Sequence, residues 1–267
     1  MFDWQASALK ALQAKDPEQK CRLVHALWQQ CADQTLTAVE HCQAPEQPGR
    51  PAQPELVHPN AVPRRRLGSD KGRAALVHAV AHIEFNAINL ALDAALRFPG
   101  MPTAFYHDWL SVAEDEARHY ELLAQRLANL NCRYGDLPAH NGLWEMAMAT
   151  SGDVMMRMAL VPRVLEARGL DVTPGMIERL MSAGDEQTVA ALRIILAEEE
   201  RHVAIGSHWF QWICQQRDLP PQATFLQLLR EHYQGQIAGP FNEDARLRAG
   251  FSEEEMQALA QLDAKAS

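Results

Sequence analysis

The chain contains two pentapeptides of the same type, DEARH at residues 115–119 and EEERH at residues 198–202. Their second and fifth positions hold Glu116, His119, Glu199 and His202. On an α-helix, groups three positions apart lie on one face about one turn apart, so this carboxylate and this imidazole can reach the same metal ion. A single copy is typical of a charged, solvent-exposed helix. The presence of a second copy favours a metal-binding site instead.

A glutamate inside an apolar run precedes each pentapeptide by about one helix length. These glutamates are Glu84 in AHIEFNA and Glu166 in ALVPRVLEARG. Glu84 lies 32 residues before Glu116, and Glu166 lies 33 residues before Glu199. The core of the chain is therefore predicted to be a helix with a glutamate followed by a helix with Glu-x-x-His, repeated once.

Four glutamates in one apolar interior need compensating positive charge, because an unpaired buried carboxylate costs several kcal/mol or becomes protonated. Two divalent cations would offset the four negative charges. Oxygen and nitrogen ligands without thiolate favour iron or manganese. We therefore predict a site for two metal ions, with iron favoured and Mn/Fe or Mn as alternatives. The predicted ligands, which are also the predicted catalytic residues, are Glu84, Glu116, His119, Glu166, Glu199 and His202.

This pattern resembles the ferritin-like di-iron carboxylate superfamily, in which two helices each supply a glutamate and two others each supply Glu-x-x-His. The resemblance implies an all-α, ferritin-like four-helix bundle with a long B–C crossover, the connection between the second and third bundle helices. It also makes Glu116 and Glu166 the bridging ligands. Three stretches also resemble an uncharacterised bacterial family of unknown function within that superfamily. They are LVPRVLEARGLDVTP at 160–174, HVAIGSHWF at 202–210 and GPFNEDARLRAGF at 239–251.

The other charged positions of the pentapeptides are Asp115, Arg118, Glu198 and Arg201. They resemble the Asp-Glu-x-Arg-His form of oxygen-activating members such as bacterial multicomponent monooxygenases. There the extra acid accepts a hydrogen bond from a ligand histidine and the arginine neutralises charge beside the metals, because a ligand imidazole needs an acceptor for its other ring nitrogen. An exposed helix face is the alternative. Glu198 stands where the first copy has an aspartate, so we expect the two halves to differ here.

Helix start and stop signals divide the chain into four predicted segments. They are an N-terminal helical segment at 1–42, a proline-rich connector at 43–69, the di-metal bundle at 70–218 and a C-terminal helical tail at 219–267 that packs on the bundle. Ser69 or Asp70 caps the first long helix of the bundle and Asp185 caps the last. Gly169 and Pro174 predict a break in the third helix. The PRRR run in the connector is interpreted as a solvated or salt-bridged patch, with anion binding as the alternative.

Composition limits the partners and the compartment. The 267 residues are 47% hydrophobic and carry a formal charge of -9, so the chain has no overall attraction to nucleic acid or to an anionic membrane. The N-terminal residues lack an export signal, no apolar run reaches about 20 residues, and the five cysteines are scattered. We predict a cytoplasmic protein without membrane or nucleic-acid partners. Architectural similarity to a di-iron tRNA hydroxylase leaves tRNA as an alternative, and a homodimer is an alternative to a monomer.

The resemblance implies an oxygen-dependent oxidoreductase that uses two ferrous ions and dioxygen to hydroxylate or oxidise a small apolar or amphipathic substrate, with an electron-donor protein. Iron storage or detoxification is the alternative function, and a structural bundle with an inert metal is a third. Arg163 is predicted either to hold an anionic substrate or to form a salt bridge. His78 and His82 lie on a different helix face from Glu84, so we do not expect them to be ligands.

Overall fold

The computed structural model describes residues 2–31, 34–36, 44–62, 66–233, 235 and 237–266. In these residues the regular structure is helical, with an isolated β-bridge between Leu56 and Ala139 and no β-strand. The α-helices are α1 (Trp4–Gln13), α2 (Pro17–Cys31), α3 (Asp70–Arg97), α4 (Thr103–Asn129), α5 (Gly142–Ala149), α6 (Val154–Leu160), α7 (Ala167–Ser182), α8 (Glu186–Gln216), α9 (Pro221–His232), α10 (Glu243–Arg248) and α11 (Glu253–Ala266). The predicted all-α class is confirmed.

Two long helices begin where their capping residues predict. The hydroxyl of Ser69 accepts a hydrogen bond from the backbone N–H of Gly72 at the start of α3. The carboxylate of Asp185 accepts hydrogen bonds from the N–H of Thr188, at 3.0 Å, and from its hydroxyl, at 2.7 Å, at the start of α8. Side-chain acceptors of this kind satisfy N–H groups that have no partner within the helix. A capping residue close in sequence therefore marks both starting points.

The predicted break in the third bundle helix is wrong in its position. Helix α7 continues through Gly169 and Pro174, and the irregularity is a π-helical segment at Val161–Glu166 that joins α6 to α7. Pro162 has no N–H to donate to the preceding turn, which favours a wider turn there. Pro174 also removes a hydrogen bond to the carbonyl of Leu170, but the side chain of Asn242 donates to that carbonyl at 3.2 Å. A residue far along the sequence thus makes Pro174 tolerable within a helix.

Short helices α5 and α10 were not predicted, and several predicted features lie outside the described residues. In the predicted N-terminal helical segment, residues 1, 32–33 and 37–42 are not among the described residues. The same is true of residues 63–65, which make up most of the PRRR run. The described part of the connector is irregular apart from a short 3-10 turn at Pro59–Ala61. The four-segment division stays a prediction.

The chain forms two compact units, the first made of residues 1–148 and 183–191. In this unit α3 packs against α4 and α1, and α2 packs against α1 and α4. Lys20 of α2 is fully buried and donates to the carbonyls of Ala11, at 3.0 Å, and Leu12, at 2.7 Å, at the end of α1. Burial lowers the pKa of this amine to about 7. Its two carbonyl acceptors join α2 to the end of α1.

Helix α3 is the core helix of the first unit. Among the described residues it alone is long and apolar enough to cross a membrane by length and composition, and 78% of its most apolar window is buried inside the protein. This burial is the pattern of a core helix in a soluble protein.

The second unit contains residues 149–182 and 192–267. Helix α6 packs against α9, α11 packs against α9, and α10 packs against α7. Pro162 in the π segment lies directly against Gly206 of α8, where a side-chain Cβ would fall 2.3 Å from both Cβ and Cγ of the proline. Only glycine permits this close approach of the two elements.

This contact predicts that Gly206→Ala lowers the free energy of unfolding by about 1–3 kcal/mol or more, because the added methyl overlaps Pro162 and cannot be accommodated without backbone movement. The matched control is Gly169→Ala in α7, where a Cβ meets no atom within 4 Å. That change should raise stability by about 0.5–1 kcal/mol through the better helix propensity of alanine. Urea unfolding followed by circular dichroism measures both. Equal effects of the two substitutions would contradict the close contact.

Candidate metal centre

Three of the predicted ligands come together in the first unit, on the antiparallel pair α3 and α4. Glu84 lies 13 residues before the last residue of α3, and Glu116 lies 13 residues after the first residue of α4, so the two reach the same height along the pair. Glu84, Glu116 and His119 retain only 4%, 1% and 0% of their exposed surface. The surrounding helix positions are largely apolar, so these ionisable side chains lie in an interior shielded from water.

The ligand atoms of this cluster are close enough to share one ion. Nδ1 of His119 lies 3.3 Å from Oε2 of Glu84 and 3.4 Å from Oε2 of Glu116. One ligand atom from each of the three residues lies within 4.8 Å of the others. Atoms that bind one ion at about 2.0–2.2 Å are separated by roughly 3–4.5 Å. Small side-chain rotations would therefore bring all three onto a single cation.

The electrostatics of the cluster also suit a cation. Burial by itself lowers the pKa of His119, but hydrogen bonds and charge from Glu116 and Glu84 outweigh burial and raise the pKa to about 11. Without a metal, the imidazole therefore carries a proton that compensates one of the two carboxylates. A divalent cation would replace that proton and supply the further positive charge that the second carboxylate needs. The donor set fits a metal ion.

The other three predicted ligands lie in the second unit. Glu166 is the last residue of the π segment and is partly buried, while Glu199 and His202 lie on α8. His202 is fully buried, and its Nδ1 lies 3.6 Å from Oε1 of Glu199. This pair repeats the Glu-x-x-His geometry of the first unit with a longer separation.

The contact between Pro162 and Gly206 aligns the two elements that carry these second-unit ligands. Glu166 lies four residues after Pro162, and His202 lies four residues before Gly206. Positions four apart share a helix face. The glycine and proline therefore set how closely the elements that bear Glu166 and His202 approach each other.

The charged neighbours in the first pentapeptide pair with each other. Arg118 forms ion pairs with Asp115 and, at 3.1 Å, with Glu114. In the second pentapeptide, Glu198 is partly buried and Arg201 is exposed. The roles predicted for these four residues beside a metal, and the predicted difference between the two halves, stay predictions.

His78 and His82 make contacts that explain their burial without a metal. Nδ1 of His82 lies 2.9 Å from the hydroxyl of Tyr134, and its Nε2 lies 2.9 Å from the carbonyl of His140. Nε2 of His78 accepts a hydrogen bond from the N–H of Gly135 at 2.9 Å. Both histidines thus attach α3 to the segment that follows α4.

Arg163 forms a salt bridge, which was one of its two predicted interpretations. It is fully buried, and its guanidinium donates to Glu255 at 2.7 Å. Sequence reasoning did not single out Glu255, because it is the last of three consecutive glutamates in what reads as an exposed helix start. The serine three positions earlier, a capping-box signal, could have identified it.

Comparison with known proteins places the chain in a family. The family described as "Protein of unknown function (DUF455)" matches residues 13–257, a span that contains all six predicted ligands. The chain belongs to this family. It is 42% identical over 269 residues to an "Uncharacterized protein" of Haemophilus influenzae, strain Rd. The match covers 95% of this chain and 92% of the relative. No solved structure matches the chain.

The charge of the cluster predicts that this DUF455-family protein gains stability when one ligand is neutralised in the absence of metal. Glu116→Gln leaves one carboxylate to pair with protonated His119, so the metal-free protein should be more stable by about 1 kcal/mol. The measurement is urea unfolding in the presence of a chelator. The control is Glu178→Gln at an exposed position of α7, which should have no effect. A loss of stability in Glu116→Gln alone would show that both charges are already compensated by protein groups.

Proposed function

We propose that this DUF455-family protein is an oxygen-activating oxidoreductase that uses two metal ions, most simply iron, to hydroxylate or oxidise a small organic substrate. The observation that carries the proposal is the buried Glu84, Glu116 and His119 cluster on α3 and α4. Two carboxylates and an imidazole in an apolar interior are unfavourable for stability unless a cation joins them.

The repeat in the sequence extends the proposal to both halves. Glu166, Glu199 and His202 reproduce the same residue types in the second unit, with Glu199 and His202 again three positions apart. We propose that the two sets belong to one ferritin-like four-helix bundle with a long B–C crossover and together hold two ions, with Glu116 and Glu166 as bridging ligands. Six ligands of this kind give a neutral site with two divalent ions and leave coordination positions for a reactant.

The protein's own residues would bind and shield the ions. The carboxylates would hold the ions, and the histidines would fix their positions from one side. When bound, two redox-active ions would supply the electrons that reduce dioxygen and so oxidise the substrate. Side chains one turn from the ligands on α3 and α4 would exclude water; buried examples are Ala87, Ile88, Val112, Ala113 and Tyr120. Apolar walls of this kind favour dioxygen and an apolar or amphipathic substrate over a charged one.

The remaining parts of the proposal concern partners and location. Turnover with dioxygen needs external electrons, so an electron-donor protein belongs to the proposed reaction. We place the protein in the cytoplasm, because its five cysteines are scattered along the sequence without a CxxC pair, which favours reduced thiols. The net charge of -9 supports a small-molecule substrate over nucleic acid.

Metal analysis tests the centre itself. Protein purified from cells grown with sufficient iron should contain about two metal ions per chain, since six ligands are available. Glu116→Ala and His202→Ala should each lose most of the bound metal, while the exposed-site variant Glu178→Gln should retain it. Circular dichroism would show that each variant is folded. Fewer than about one ion per wild-type chain, or full metal content in both alanine variants, would refute the site.

Reconstitution with ferrous iron distinguishes an oxidase from an iron store. For the proposed enzyme, ferrous iron should be taken up to about two ions per chain, and further oxygen consumption should require an added reductant. An iron store would instead continue to oxidise and accumulate iron well beyond two ions per chain. Oxygen uptake and iron content after gel filtration provide the two readouts. Accumulation of a ferric core in a large multimer would replace the enzyme proposal with the storage function.

A further inference from the structure

Two buried ion pairs fasten the C-terminal part of the second unit to the elements around Glu166. We refer to residues 240–256, from Pro240 to Met256, as the C-terminal strap. Arg163 of the π segment donates to Glu255 of the strap at 2.7 Å. In the opposite sense, Arg246 of the strap donates to the two carboxylate oxygens of Asp171 in α7, at 2.9 and 2.7 Å. All four side chains are buried.

Arg163 lies in an apolar box that leaves it dependent on one carboxylate. Its guanidinium carbon is 4.9, 4.2 and 4.5 Å from the ring centres of Phe210, Phe225 and Phe251. Its Nε donates to the hydroxyl of Ser207 at 3.2 Å. An arginine does not lose its proton in a protein, so this charge must be compensated where it lies. Glu255 is the carboxylate in contact with it.

Glu255 is itself held by the start of α11. Its carboxylate accepts from the N–H of Ser252 at 2.9 Å, and its own N–H donates to the hydroxyl of Ser252 at 3.1 Å. This reciprocal arrangement is a capping box, which fixes both residues at the first turn of a helix. The capping box therefore orients the carboxylate toward Arg163 independently of the ion pair.

The aromatic ring of Phe251 links the two ion pairs. It lies 4.5 Å from the guanidinium carbon of Arg163 and 5.0 Å from that of Arg246. A ring in contact with a guanidinium group favours it through cation–π attraction, and Phe251 contacts both. The two attachments of the strap therefore act as one packed unit rather than as separate contacts.

Glu166 occupies the chain between the two attachment points. It lies three residues after Arg163 and five residues before Asp171, and it ends the π segment. A π turn is rare and occurs mostly as a single turn inside an α-helix, so it depends on the contacts that surround it. The surroundings on this side are the strap, together with Gly206 against Pro162.

We propose that the C-terminal strap, through the ion pair of Glu255 with Arg163, positions Glu166 as a metal ligand. Glu255 is thus a positioning residue that acts through Arg163 and does not touch the ion. The inference rests on the proposed metal centre. The position of one metal ligand would thus depend on a residue that lies 53 positions after the last ligand, His202.

The test titrates full-length, metal-depleted protein with cobalt(II) chloride and records the visible absorption of the bound ion, which reports its coordination. Glu255→Gln removes the charge but keeps an oxygen that can accept from Ser252. We expect it to bind the second cobalt ion at least tenfold more weakly and with an altered spectrum. The matched control is Glu254→Gln, at the exposed neighbouring position, which should match the wild type in both readouts.

Two further variants separate positioning from stability. Glu255→Asp retains the charge and should recover part of the affinity and the wild-type form of the spectrum. Leu12→Ala removes buried apolar contacts in the first unit and should lower the urea midpoint without changing the cobalt spectrum. If Glu255→Gln does not fold, Glu255→Asp decides through affinity: its shorter side chain should still weaken binding of the second cobalt ion, and wild-type affinity in this variant would overturn the positioning role.

The outcomes distinguish failure of the positioning role of Glu255 from failure of the proposed metal centre. If Glu255→Gln is folded and binds two cobalt ions with wild-type affinity and spectrum, the strap does not position Glu166 and the proposed metal centre stands. The same holds if Leu12→Ala changes the spectrum as much as Glu255→Gln does, because stability would then explain both. If the wild type binds fewer than about one ion per chain, the proposed centre fails and the inference fails with it.

Discussion

The structure depends on the burial of acidic groups inside paired helices that are otherwise apolar. Glu84 and Glu116 lie beside His119 at 3.3 and 3.4 Å, and both carboxylates are almost fully removed from water. Apolar packing of α3 against α4 stabilises the pair, but it also deprives these charges of solvent. A protein selected only for stability would gain by replacing them with hydrophobic residues. Their presence at matching heights of the two helices supports the proposed metal centre.

The second unit carries its predicted ligands on a less regular backbone. A π segment carries Glu166, and the absence of a side chain at Gly206 lets α8 approach Pro162. The resulting local geometry is supported by charge as well as by packing, since Arg163 and Asp171 on either side of Glu166 are both held by the strap. Irregular backbone in the middle of a helix commonly marks a functional position, and here its supports can be named.

The sequence predicts the elements whose determinants are local. Ser69 and Asp185 start their helices because each accepts hydrogen bonds from residues only three positions on, and the clustering of Glu84, Glu116 and His119 follows from helical spacing. Pro174 was misjudged because the side chain of Asn242, which compensates for it, is remote in sequence. Glu255 could not be separated from its two glutamate neighbours by composition, since burial of one of the three depends on where Arg163 lies. Long-range partners therefore account for what the sequence did not reveal.

The capping box of α11 affects the order in which the parts of the protein can fold. The carboxylate of Glu255 both begins the last helix and neutralises Arg163, so two distant parts of the second unit acquire their final form together. During synthesis from the N-terminus, helices α1 to α4 can pack as soon as they leave the ribosome, whereas the π segment waits for a helix near the end of the chain. Newly made chains would thus present the first three acidic and imidazole groups before the rest. In the proposed two-ion centre, an unfinished chain would offer a metal ion only these three ligands, and full occupancy would come late in the life of the molecule.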